Sequence, residues 1–107
     1  MLTVSGIICI MTEPEERVIS SGSFFNFFGV SKNPYKIDYS HHKVSVFVQT
    51  EKVEKAREKI CKGKNICIRM GELNGKKTKF ETAVMSDIST RWNWIEVLSQ
   101  TPTRERQ

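Results

Sequence analysis

Two kinds of side chain in this 107-residue chain carry chemistry when they stand together: flat rings and cations. Six Phe, two Tyr and two Trp are set among 17 Lys and Arg. Rings offer π-faces on which other flat groups stack, and cations neutralise a polyanion. The sharpest instance is Lys43-Val44-Ser45-Val46-Phe47-Val48. Its period of two turns Val44, Val46 and Val48 toward a core and Lys43, Ser45 and Phe47 away from it. A phenylalanine beside a lysine on an outer face costs solubility unless something covers it. A second instance is Lys76, Lys77 and Lys79 beside Phe80, just after the turn signal Asn74-Gly75. These lysines are hairpin charges held in water or a phosphate clamp. Phe28 closes the aromatic run Phe24-Phe25-Asn26-Phe27-Phe28, in which Phe24 and Phe28 share one face and Phe25 and Phe27 the other. Trp92 and Trp94 are spaced as on a strand, and serve a binding face, a dimer contact or a lid on a barrel end.

Other chemistries find no support. Cys9, Cys61 and Cys67 are odd in number and form no C-x-x-C pair, which argues against a disulfide framework or a thiolate zinc site. His41 and His42 have no partner at metal-ligand spacing. No nucleophile elbow, phosphate loop or paired acids in an apolar pocket is present, so neither an enzyme nor a cofactor is expected. No apolar run approaches the ~20 residues of a membrane helix, and Val4–Met11 lacks the basic flank of a signal peptide. A cytoplasmic protein with reduced thiols is the expectation.

The net charge of +5 is unevenly spread. Residues 32–79 hold thirteen Lys and Arg against five acids, whereas the flanking segments are slightly acidic. Such a field concentrates polyanions near the middle of the chain.

The elements that must position these groups follow from periodicity. Leu2–Thr12 reads as a strand, with Gly6 marking a bend or bulge. Val18 and Ile19 begin a return that Ser20-Ser21-Gly22 interrupts. Ser23–Val30 and Lys43–Val48 are strands, separated by a polar loop holding Tyr35 and Tyr39. Glu51–Lys62 is the one clear helix, with Thr50 as N-cap, Gly63 at C′ and Val53, Ala56 and Ile60 as its apolar stripe. Lys64–Gly71 is a strand with Ile66, Ile68 and Met70 on one face and Cys67 and Arg69 on the other. A last long strand runs from about Lys77 to Ile88, and a short tail strand carries Trp92 and Trp94. Five main strands with a single helix between the third and fourth is the layout of an all-β, five-stranded Greek-key barrel, the OB-fold. Residues 1–98 make this one domain and 99–107 a short polar tail. Lys43 and Arg69 then point outward on strands lining a groove.

Residues His42 to Val84 resemble the bacterial single-stranded DNA-binding protein family. There a strand of the form His-Lys/Arg-Val-x-Val/Leu-Phe precedes a helix, a Lys-Gly pair and an apolar strand. Here these are His42-Lys43-Val44-Ser45-Val46-Phe47, the helix, Lys62-Gly63 and Ile66–Gly71, followed by Lys79-Phe80-Glu81-Thr82-Ala83-Val84. Val4-Ser5-Gly6 and Phe25-Asn26-Phe27 are weaker matches nearer the N-terminus. The resemblance implies largely sequence-independent binding of single-stranded DNA in replication or recombination, without catalysis. It places stacking at Phe47 and Phe80, near Tyr35 or Tyr39, and at His41, where many members carry a tryptophan. The family's acidic tail tip has no counterpart in Thr101–Gln107, which is basic, so recruitment through such a tip is not implied. Tailless primosomal replication proteins, whose OB-fold mainly contacts other proteins, are a second resemblance. Binding of single-stranded RNA is a third reading, since stacking does not distinguish the sugars. So many aromatics in a small chain imply a homodimer or homotetramer.

Overall fold

Alternation of side chains decides the architecture, because each strand must bury one face. In a computed structural model of the chain, which describes residues 2–32, 39–74 and 86–98, seven strands form: β1 (Leu2–Ile10), β2 (Glu15–Ile19), β3 (Gly22–Lys32), β4 (Tyr39–Gln49), β5 (Asn65–Asn74), β6 (Ser86–Arg91) and β7 (Ile95–Leu98). The helix α1 (Val53–Lys59) lies between β4 and β5. Five strands close a mixed barrel in the order β1-β3-β4-β6-β5, and β5 returns to pair with β1. Among the described residues only the β4–β6 pair is parallel; β2 adds to the β3 edge and β7 to β5. This is the expected OB-fold.

Inside the ring, Phe25 and Phe27 of β3, Val44, Val46 and Val48 of β4, Ile8 and Ile10 of β1 and Ile66 and Ile68 of β5 are buried. The helix closes one end by burying Val53, Ala56 and Ile60, the expected stripe. It is shorter than Glu51–Lys62. Thr50–Lys52 is a 3₁₀ turn, and Thr50 does not cap: Lys52 holds the N-cap position with no side-chain bond to the helix. At the other end Ile60 is already extended (φ −89°, ψ 91°), which swings it into the core. Gly63 therefore lies beyond C′. Its positive φ (90°) serves a turn instead, in which its N–H donates to the Ile10 carbonyl at 2.8 Å.

Two further expectations are corrected. Met70 is exposed rather than aligned with Ile66 and Ile68. The β1–β5 register shifts between Val4 and Gly6, so β5 carries an extra residue there and its faces exchange. Gly71 turns inward in its place, where a Cβ would lie 2.9 Å from Ile88 Cγ2. The Thr90 hydroxyl donates to the Met70 carbonyl at 2.7 Å and ties the bulge to β6. Trp92–Trp94 is a 3₁₀ turn linking β6 to β7, not part of a strand.

A polar tie joins β2 to the helix. Glu16 accepts from Arg57 Nε and Nη2 at 2.6 and 2.9 Å and from Ser23 Oγ at 2.8 Å. Among the described residues no helix is long and apolar enough to cross a membrane.

Candidate nucleic-acid interface

The residues that the barrel strands turn outward fall into rows across β2, β3, β4 and β6, because paired residues share a face. The first row reads Arg17, Phe24, Phe47, Arg91. Phe24 and Phe47 are half-buried, with ring centroids 5.2 Å apart and planes tilted by 55°. Such an edge-inclined pair holds both rings in place and leaves a π-face open. An exposed arginine flanks the pair on each side. The Arg91 guanidinium sits 5.5 Å from the Trp94 ring centroid, a cation–π contact that fixes a long side chain at the rim.

The next row is polar. It runs Glu15, Asn26, Ser45, Ser89, Glu72, Thr3, the last two contributed by β5 and β1. Ser45 Oγ donates to Asn26 Oδ1 at 2.7 Å. The third row is Phe28, Lys43, Asp87. Phe28 is exposed, and its backbone is pinned by bonds to Met11 N and Thr12 Oγ1.

An open groove of about 700 Å³ lies over Phe24, Phe47 and Arg91 of the first row and Ser89, Glu72 and Thr3 of the second. Phe24, Phe47, Met70, Glu72, Arg91 and Trp94 supply the side chains that give it character. A volume of this order suits a small flat ligand (sites run ~300–1,000 Å³). Apolar walls and few polar groups suit it to stacking and edge recognition.

The predicted residues do not all converge on the groove. Phe47 lines the groove. Phe28, Lys43, His41 and Tyr39 line up along the outer sheet of β3 and β4 beyond it, all exposed. Arg69 is exposed at the β5 bulge but does not line the groove. Trp92 packs against the core and borders a smaller cavity with Phe47 and Lys52, so Trp94 rather than Trp92 reaches the main groove. Tyr35, Lys76, Lys77, Lys79 and Phe80, and the tail 99–107, lie outside the described residues.

Of the side chains that give the groove its character, Phe24, Met70, Glu72 and Arg91 were not among the candidates. Alternation alone marked Phe24 as outward, sharing a face with Phe28; its pairing with Phe47 needed the cross-strand register. Charge is also distributed differently from a uniformly basic strip. On the described rows Arg17, Lys43 and Arg91 are matched by Glu15, Glu72 and Asp87.

His42 of the motif is not on this face. It lies on the inner face of β4 with Val44, and its Nε2 shares a hydrogen bond of 2.7 Å with Ser31 Oγ. Its Nδ1 is buried without a partner among the described residues. Burial, helped by the neighbouring charge of His41, pushes its pKa down and keeps the ring neutral at pH 7. No group of three or more His, Cys, Asp or Glu capable of holding a metal ion occurs among the described residues.

No family model matches the sequence, and no curated protein is similar to it by sequence. Solved structures do resemble the fold. The Plasmodium falciparum single-stranded DNA-binding protein, determined in complex with single-stranded DNA, superposes with a TM-score of 0.65 at 16% identity, over 92% of this chain and 96% of that one. The Thermus aquaticus single-stranded DNA-binding protein gives 0.60 at 15% identity; 91% of this chain spans 50% of that protein. A mitochondrial single-stranded DNA-binding protein from S. cerevisiae gives 0.55 at 13%, over 90% and 92%. The chain thus shares the OB-fold of single-stranded DNA-binding proteins.

Proposed function

We propose that this chain is a non-enzymatic protein that binds single-stranded DNA, largely without regard to sequence, and serves replication or recombination in the cytoplasm. The observation that carries the proposal is the first row: two aromatic rings held at 5.2 Å and flanked by Arg17 and Arg91, on the outer face of an OB-fold barrel. Bases stack on Phe47 and Phe24, and the flanking arginines meet phosphates. Base–aromatic stacking contributes ~1–3 kcal/mol per base, so two platforms account for most of the affinity of a short segment. Lys43, Phe28, His41 and Tyr39 extend the path of the strand along β4, and Lys76, Lys77, Lys79 and Phe80 add to it. The exposed apolar side chains of Ile7, Met11 and Val18 support assembly into a homodimer or homotetramer, which light scattering reads directly.

The test is a salt-dependent fluorescence titration of the wild type and Phe47→Ala with oligo(dT), the matching RNA and a duplex. Tight, salt-weakened binding of oligo(dT), with weaker duplex binding and a large loss in Phe47→Ala, is the expected result. No binding of oligo(dT) at low salt overturns the proposal, and equal or tighter binding of RNA reassigns the ligand.

A further inference from the structure

The polar row beside the aromatic pair contains a group that a phosphate-binding face does not need. Glu72 is exposed, lines the groove, and makes no side-chain hydrogen bond or ion pair with any described residue. Opposite Ser89 on β6 and Thr3 on β1, it is the groove's one charged acceptor among the described lining residues. No other member of its row brings a carboxylate to the groove, where Thr3 offers a hydroxyl. Asn26 uses its carbonyl oxygen to accept from Ser45, and Ser89 already has a partner. Glu15, at the far end of the row, does not line the groove.

Rows on one face of a strand are about 7 Å apart, since each residue advances ~3.3 Å. A base stacked on the aromatic row therefore projects its polar edge over the neighbouring row. A free carboxylate there is an acceptor only. It repels phosphate but receives a charge-assisted hydrogen bond from an exocyclic amine. Cytosine, adenine and guanine carry such an amine; thymine and uracil present a carbonyl oxygen at the corresponding pyrimidine position.

We infer that Glu72 is a base-edge acceptor that biases the Phe24–Phe47 subsite toward bases bearing an exocyclic amino group and against thymine and uracil. The inference rests on the proposed single-strand binding and adds to it a preference confined to one subsite. Met70 and Trp94 wall the subsite, and Arg91 holds the adjoining phosphate, so the carboxylate faces the base rather than the backbone.

The experiment compares oligo(dT) with an oligo of 5-methyl-2′-deoxycytidine of equal length at neutral pH. These two differ at ring position 4 and in the N3 proton, and share the 5-methyl group. Dissociation constants are measured for the wild type and for Glu72→Gln, whose amide donates and accepts. The ratio of the oligo(dT) constant to the 5-methylcytidine constant is expected to fall by roughly fivefold or more in the variant, the discrimination expected of one good edge contact. A variant that tightens both oligonucleotides equally overturns the inference, since Glu72 then only repels phosphate. An unchanged ratio overturns it as well. Failure of the wild type to bind either oligonucleotide removes the single-strand reading itself, and is distinguishable from both.

Discussion

Strands β3 and β4 build two surfaces from one stretch of chain, and the two obey different rules. Their inner faces hold Phe25, Phe27, Val44, Val46 and Val48, all buried, where only shape and volume matter. Their outer faces hold Phe24, Asn26 and Phe28 against Phe47, Ser45 and Lys43, where aromatic, polar and charged groups alternate row by row. Aromatic rings occur on both sides. Inside they fill space between aliphatics; outside they pair with each other and stay partly open to solvent. Residue type therefore does not separate core from site here, and the register does.

The contrast breaks most visibly in the core. Phe27→Ala is expected to lower the unfolding free energy by ~3–5 kcal/mol, the usual range for a buried phenylalanine. Urea denaturation measures it. The fraction that remains folded should bind oligo(dT) as the wild type does. A comparable loss of intrinsic affinity would mean that the two faces are coupled.

Phe47→Ala is the mirror experiment. It should remove ~1–3 kcal/mol of binding for the base it stacks and much less stability than Phe27→Ala, because the ring is half-buried and only leans on Phe24. A titration and a urea curve on the same preparation decide it. If stability falls as far as for Phe27→Ala while affinity holds, Phe47 is a packing residue and the outer row is not a binding row.

Arg91→Ala acts on charge and tests the flank of the same row. One lost phosphate contact flattens the dependence of log affinity on log salt by roughly 0.7 for a single strand. Trp94 also loses the guanidinium above it, so its emission should change in the free protein. An unaltered salt slope would leave Arg91 as a clamp on Trp94 only.

Much of the inner surface was legible in the sequence. The alternation at Val44, Val46 and Val48 and the helical stripe Val53, Ala56, Ile60 follow from local period, and both are buried as read. The OB layout followed from the order of the elements. What escaped was set by pairing between distant segments. The Met70–Gly71 exchange arises from a bulge defined against β1, and the Phe24–Phe47 contact from a register between residues 23 positions apart in sequence. The early end of α1 is likewise tertiary, since Ile60 leaves the helix to reach the core. Arg91 and Glu72 carry no motif; only closure of the barrel through β6 and β5 brings them beside Phe47.

The smallest effect expected concerns a polar group that serves the inner structure rather than the outer face. The Arg57 guanidinium, with help from the Ser23 hydroxyl, holds the Glu16 carboxyl below its ordinary value of 4.5. Between that lowered value and 4.5 the unfolded chain binds more protons than the folded one, so stability rises with pH in that window. The contribution is complete above 4.5 and is lost as pH falls through the folded value. Arg57 is half exposed, and solvent screens the pair, which keeps the effect modest. In Glu16→Gln the side chain carries no charge at any pH. The difference in melting temperature between wild type and variant should therefore be constant above pH 4.5 and shrink below it. His42 also loses stability on acidification, starting near 6.5, because its neutral form is favoured in the fold. That loss is common to both proteins and cancels in the difference. A difference that stays constant down through the acid range would show that the Glu16–Arg57 tie closes β2 onto the helix by hydrogen bonding alone, with charge playing no part.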